Sequence, residues 1–188
     1  MTALAASMAA PSARSVNMSL TNMDAKAFRE GMARVTGAVH VVTTAAGEAL
    51  AGVTATAVCS VSDSPPMVLV CLHRQGRLHK LLRQGSVIAV NTLTAGHEEL
   101  AAVFAGAGDL PMHDRFLRGN WKTEPDGAPI LLDSVVSFEC RVRSLIEAGS
   151  HSIVACEVNE VHIGNSTEAL VYGARRYAHV DLSSNKSS

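Results

Sequence analysis

The chain has 188 residues, 47% of them hydrophobic, and a formal net charge of −1, which suits one domain with a sizeable core and is too short for two comfortable ones. So balanced a charge, without a run of basic residues, offers no field to gather nucleic acid or an anionic membrane. No segment reaches the ~20 apolar residues of a membrane span.

Residues 1 to 22 are rich in Ala, Ser and Met, with Arg14 as their only charge. They lack the basic start and unbroken apolar stretch of a secretory signal and are expected to be a disordered tail, as are residues 182 to 188; the domain is expected over residues 23 to 181. Asp24 is a good N-cap for a helix with apolar positions at Ala27, Phe28, Met32 and Val35, ending near Gly37. Val39, Val41 and Val42 read as a strand, Gly47-Glu48 as a turn and residues 50 to 62 as a second, long strand, together a hairpin. Pro65-Pro66 interrupts pairing before Met67-Val68-Leu69-Val70-Cys71-Leu72, whose continuous apolarity predicts burial on both faces.

Leu78, Leu81 and Leu82 mark a helix over residues 77 to 84 stopped by Gly85, and residues 86 to 92 return to strand. A helix is expected over residues 97 to 104. Residues 106 to 129 mix Gly, Pro, Asp and His around the only tryptophan, an irregular excursion that Phe116 and Trp121 should pin to the body. Val136, Phe138, Cys140 and Val142 alternate with polar residues, as do Val154, Cys156 and Val158, the pattern of half-buried antiparallel strands; residues 148 to 151 connect them. A short last strand, Leu170-Val171-Tyr172, precedes Arg175-Arg176-Tyr177. The fold class is mainly β with short helices, an antiparallel barrel rather than a doubly wound sheet. Cys59, Cys71, Cys140 and Cys156 lie far apart in apolar runs without Cys-x-x-Cys spacing, which reads as four reduced core thiols in a cytoplasmic protein.

The most telling segment is Gly52-Val53-Thr54-Ala55-Thr56-Ala57-Val58-Cys59-Ser60. Its small side chains let a flat polar ligand approach the main chain, with the hydroxyls of Thr54, Thr56 and Ser60 as partners. The same composition also serves tight packing against a helix. Asn91 ends a buried strand, where its amide can bond a cofactor or satisfy loose main-chain groups. A Rossmann turn, a phosphate loop, a zincin motif and a nucleophile elbow are all missing. The eight histidines show no His/carboxylate spacing, so no metal is expected.

Taken in order, Thr36-Gly37-Ala38-Val39-His40-Val41-Val42-Thr43-Thr44, Gly52-Val53-Thr54 through Ser60, Pro65-Pro66, Val90-Asn91, Phe104-Ala105, Gly149-Ser150-His151 and Tyr172 resemble the short-chain flavin reductase family over about residues 26 to 180. The family comprises the reductase components of two-component flavin monooxygenases acting on phenols, 4-hydroxyphenylacetate and related aromatics. The resemblance implies a Greek-key split β-barrel, usually a homodimer with flavin near the subunit interface. It implies an NAD(P)H-dependent flavin reductase that transfers a hydride from NADH or NADPH to FAD or FMN, with FAD favoured, and lets the reduced flavin diffuse to a separate oxygenase.

By the same resemblance, Gly52, Val53, Thr54, Thr56 and Ala57 contact the isoalloxazine and ribityl portions, with Ser60 nearby. His73 to Leu78 form the phosphate-side loop, where Arg77 pairs the phosphate and the following helix start assists, and Cys71 and Leu72 before it belong to the cofactor set. Asn91, Phe104 and Tyr172 complete the cofactor set. The chain departs from the pattern at Gln75-Gly76-Arg77-Leu78, where relatives carry Ser or Thr. It departs again at Ser150, where they carry Asp beside the histidine. His151 is the catalytic candidate, in the role of orienting the nicotinamide, because hydride transfer to flavin N5 asks the protein mainly for positioning and exclusion of water. Losing the acidic neighbour removes one cause of a raised imidazole pKa. Two alternatives use the same barrel: a non-catalytic flavin carrier that does not need His151, and a pyridoxine-phosphate-oxidase-like enzyme, which would want Arg77, Lys80, Arg83, Arg175 and Arg176 gathered on one phosphate.

Overall fold

A computed structural model describes residues 24–125 and 127–183; the expected tail at 1–22, and residues 184–188 of the one expected at 182–188, lie outside the described residues. These form two units, one ending at Met32 and one beginning at Ala33. The first holds helix α1 (Ala25–Met32). Asp24 caps it as expected, its carboxylate accepting the Lys26 N–H at 2.9 Å. The helix stops short of Gly37, because β-branched Val35 and Thr36 lead straight into strand pairing.

The second unit runs through β1 (Gly37–Ala38), β2 (His40–Ala46), β3 (Ala49–Ala55), β4 (Val58–Asp63), β5 (Pro66–His73), α2 (Arg77–Leu81) and β6 (Val87–Thr92). A 3-10 turn leads into α3 (Glu98–Phe104), and another into α4 (Met112–Phe116). Then come β7 (Trp121–Lys122), β8 (Ile130–Leu131), β9 (Val136–Ala148), β10 (His151–Ile163), β11 (Glu168–Gly173) and β12 (Arg176–Asp181).

Seven of these strands make one antiparallel sheet in the order β3-β2-β6-β9-β10-β5-β4. Its two edge strands are consecutive in the chain. The expected single strand over residues 50 to 62 is therefore broken at Thr56-Ala57, where the chain leaves the β2 edge and joins the β5 edge. That crossing, with β3 brought against β5, rolls the sheet into a split barrel. The Cys71 N–H donates to the Ala57 carbonyl at 3.0 Å and ties the joint to β5.

The barrel interior holds Val42, Val70, Leu72, Ile88, Val90, Cys140, Val142, Val154 and Cys156, all buried. The alternation read in β9 and β10 is borne out there. β5 does not meet its expectation: Val68, Val70 and Leu72 are buried, but Met67, Leu69 and Cys71 on the opposite face are only half-buried, because the curled sheet covers one side of it. Two of the four thiols are likewise not core: Cys59 is exposed and Cys71 half-buried, both on the outward side.

A second cluster fills the space outside β2 and β6, with Val39, Val41, Leu93, Leu100, Phe104, Leu131 and Leu170. Phe104, Phe116 and Trp121 meet edge to face at centroid distances of 5.1 to 5.6 Å. This pins the excursion as expected. The last described strands form a hairpin rather than a single strand: Ala174 and Arg175 both take positive φ, the geometry of a tight two-residue turn, and β12 pairs back on β11. Among the described residues no helix is long and apolar enough to cross a membrane.

Candidate functional site

Where β3 passes the end of β5, the two strands, α2 and α4 enclose a cavity of about 340 Å³. Seven of the anticipated residues line it: Gly52, Val53, Leu72, His73, Arg77, Leu78 and Phe104. A second hollow of about 280 Å³ shares Ala105 with the first and is bounded by Thr54, Thr56, Tyr172 and Tyr177. The two lie along consecutive residues of β3 and form a groove beside that strand. As an edge strand, β3 leaves main-chain donors and acceptors unpaired on the side away from β2.

The small residues of β3 serve packing as well as access. A Cβ on Gly52 would stand 2.8 Å from Phe104 Cδ1 and 3.3 Å from Phe116 Cζ, so only glycine lets the aromatic cluster lie flat on the strand. The Thr54 hydroxyl donates to the Ala101 carbonyl in α3 at 2.7 Å. Of the two uses left open for this segment, tight packing against a helix is what the structure shows at both positions.

The other candidates lie elsewhere. Of the two roles read for Asn91 the structure shows the second, so its place in the cofactor set is corrected: it is fully buried, and its amide is consumed by the protein. Its Nδ2 donates to the Val41 carbonyl at 2.9 Å, and its Oδ1 accepts the Leu131 N–H at 2.9 Å and the Ser137 hydroxyl at 2.7 Å. Ser60 is exposed on β4, outside both hollows. Cys71 points to the opposite face of β5 from Leu72, and Ala57 acts through its carbonyl on Cys71.

His151 opens β10 directly opposite His73. The two rings meet edge on at 5.1 Å, and the Ser150 hydroxyl lies 2.9 Å from His151 Nδ1. His151 thus meets the cavity through His73 rather than lining it. The hairpin bearing it is strapped down by Arg74, whose N–H donates to the Ser150 carbonyl at 3.0 Å and whose guanidinium bonds Glu147 at 2.7 Å. A hollow of about 480 Å³ opens beside that strap and shares His73 and His79 with the main cavity.

Sequence reasoning missed His79, Ala105, Met112 and Arg115 in the main cavity. For Met112 and Arg115 the available signal was the long excursion, since loops of that length in a small domain are commonly functional. His79 Nε2 lies 2.9 Å from the Ser152 hydroxyl. Arg115 is half-buried, and its Nε–H donates to the Leu110 carbonyl at 2.9 Å. The cavity wall therefore carries two arginines, two histidines and no carboxylate. α2, a turn and a half with no side-chain cap, adds little dipole, so the guanidinium groups supply the positive field. Of Arg77, Lys80, Arg83, Arg175 and Arg176, only Arg77 reaches the cavity, which leaves the oxidase alternative without its cluster. Among the described residues no group of three or more His, Cys, Asp or Glu side chains is placed to hold a metal ion.

Comparisons with known proteins bear on this groove. Residues 32–181 match the flavin reductase like domain. An FMN reductase (NADH) of Methylorubrum extorquens, RutF, is 44% identical over 155 residues, which are 82% of this chain and 75% of that protein. The structure of the Streptomyces globisporus NADH:FAD oxidoreductase SgcE6, in complex with NAD and FAD fragments, superposes with a TM-score of 0.76 at 29% identity, covering 88% of this chain and 96% of that one. BorF, the flavin reductase component of a bacterial two-component tryptophan halogenase, superposes with a TM-score of 0.75 at 28% identity over 84% of this chain and 99% of its own. A split barrel whose edge-strand groove ends in an acid-free cationic cavity, matched in sequence over 150 residues and in fold over nearly the whole of two solved reductases, belongs to the flavin reductase family.

Proposed function

We propose that this protein is a cytoplasmic NADH-dependent flavin reductase that takes FMN ahead of FAD and passes free reduced flavin to a separate oxygenase. The observation that carries it is the pair of hollows that adjoin at Ala105 along β3, the larger lined by Arg77, Arg115, His73 and His79 and no acid. These residues fit a ligand with a flat polar ring and an anionic tail. Bound flavin supplies the hydride acceptor. The chain supplies position: unpaired main-chain groups of β3 for the polar ring edge, Tyr172 at one end and cations at the other. FMN is placed ahead of FAD because the 44% identical relative is an FMN reductase.

His151 and His73 would orient the nicotinamide nucleotide beside the hollow that opens at Ser150. A histidine there serves positioning, since hydride transfer needs stacked rings and no protein nucleophile. The protein is proposed to act as a homodimer. Ile146, Ile153 and Cys71 stand side by side on the outward face of β9, β10 and β5. Ile146 alone is 57% exposed, an apolar row of the kind that a second copy covers.

Purified protein given NADH and FMN should consume NADH well above the rate of an enzyme-free blank, with FAD slower. Sedimentation should return twice the chain mass. No acceleration with either flavin would overturn the assignment.

A further inference from the structure

β5 and β10 pair as far as His73 and His151. Beyond that pair the chain makes the exposed two-residue turn Gly149-Ser150 between β9 and β10. Gly149 takes φ +61°, and a Cβ there would meet nothing within 4 Å, so packing at its glycine does not hold the turn. Arg74, the residue after His73, spans it instead. Its main-chain N–H donates to the Ser150 carbonyl at 3.0 Å. Its guanidinium reaches the Gly149 carbonyl at 3.5 Å and donates to Glu147 Oε1 on β9 at 2.7 Å. The His151 ring depends on the same turn: its Nδ1 lies 2.9 Å from the Ser150 hydroxyl, and the ring meets His73 edge on at 5.1 Å.

We infer that Arg74 is a positioning residue for the nicotinamide nucleotide: clamped on Glu147 and Gly149, it fixes the turn so that His151 stays against His73. This rests on the assignment of His151 to that nucleotide and adds the group that presets the imidazole. An exposed turn at the end of two long strands opens locally at little cost, and a ring that must be ordered when the nucleotide arrives weakens binding by that cost. With Arg74 in place the ordering is done beforehand. The guanidinium is already neutralised by the Glu147 carboxylate, which sets this role apart from direct recognition of the nucleotide's phosphates. The two side chains are 41% and 69% exposed, so the effect is bounded by what exposed ion pairs contribute, about threefold to fivefold in an equilibrium.

The experiment is steady-state kinetics of the full chain with NADH and FMN, joined to flavin fluorescence titration, on the wild type, Arg74→Gln, Arg74→Lys, Glu147→Gln, His151→Ala and the double variant Arg74→Gln/His151→Ala. Arg74→Gln and Glu147→Gln are each expected to raise KM for NADH about threefold to fivefold, with FMN affinity changed by less than about twofold. Arg74→Lys, which keeps the charge opposite Glu147 and loses the second donor on Gly149, should recover part of the loss. In the His151→Ala background Arg74→Gln should add nothing, because the clamp acts only through that ring. A further rise in KM in the double variant, or a fall in KM in Glu147→Gln, means that Arg74 meets the nucleotide directly and overturns the positioning role. Unchanged KM in Arg74→Gln overturns it too, as does an equal weakening of FMN. If His151→Ala leaves KM for NADH unchanged, the assignment of His151 fails and the role of Arg74 with it. A wild type that oxidises NADH with neither flavin would instead bring down the flavin reading itself.

Discussion

Phe104 lies on Gly52 so closely that a methyl group at position 52 would stand 2.8 Å from its Cδ1. The cavity, the aromatic cluster and β3 are joined at this contact, so it governs both stability and site shape. Gly52→Ala is expected to cost about 1–3 kcal/mol, the usual range for overpacking a rigid core, because Phe116 and Trp121 block the ring's retreat. A urea midpoint unchanged from wild type would contradict this. Adding Phe104→Leu should restore part of the loss.

Removing the imidazole of His151 separates nucleotide orientation from flavin binding. His151→Ala is expected to raise KM for NADH on the order of tenfold, with flavin affinity little changed, because the ring meets the cavity only through His73. Steady-state kinetics combined with flavin titration decide the matter. An equal loss for both ligands would make the hairpin purely structural.

His40 predicts acid sensitivity. Its side chain is buried in β2, with Nδ1 3.0 Å from the Thr92 hydroxyl, and burial lowers its pKa from 6.5 to about 4. The folded protein holds it neutral, while the unfolded chain takes up a proton below pH 6.5. This contribution to stability is complete above pH 6.5 and is lost as pH falls toward 4, roughly 3 kcal/mol in all. Denaturation midpoints measured across that window should fall for the wild type and fall distinctly less for His40→Gln.

The cysteines should separate by reactivity. Burial pushes the thiols of Cys140 and Cys156 up to about 12, which leaves almost no thiolate at neutral pH. Cys59 is exposed and Cys71 half-buried. Iodoacetamide on the native protein should mark Cys59 first, with Cys140 and Cys156 modified only after unfolding. Peptide mass mapping reads the order, and early labelling of Cys140 would refute the packing described for the barrel interior.

Much of the framework is visible in the linear pattern. Alternation in residues 136–143 and 154–159 places Cys140, Val142, Val154 and Cys156 inside, because a period of two has only one way to face a core. Asp24 announces its helix through capping chemistry that acts over two residues. Local signals of this kind survive folding. The break at Thr56-Ala57 sends no such signal: residues 50 to 62 read equally well as one strand, and only closure of the sheet forces the chain to change edges.

The site divides along the same line. Gly52 lies in a segment whose small residues mark it out by themselves, whereas His73 and Arg77 are reached only through the family resemblance of the loop after β5. Asn91 was ambiguous, since an amide that ends a buried strand bonds a ligand or the main chain with equal ease; its neighbours Val41, Leu131 and Ser137, distant in sequence, claimed all of it. Arg115 was invisible, one of three cations in an irregular stretch until α4 packed against Phe104 and set it on the same cavity as Arg77. The sequence by itself determined the half-buried strands β9 and β10 with their inward residues, and the small-residue character of β3, all set by periodicity and side-chain size. The tertiary structure alone decided which charges share a cavity, because that depends on contacts between segments that no local pattern encodes.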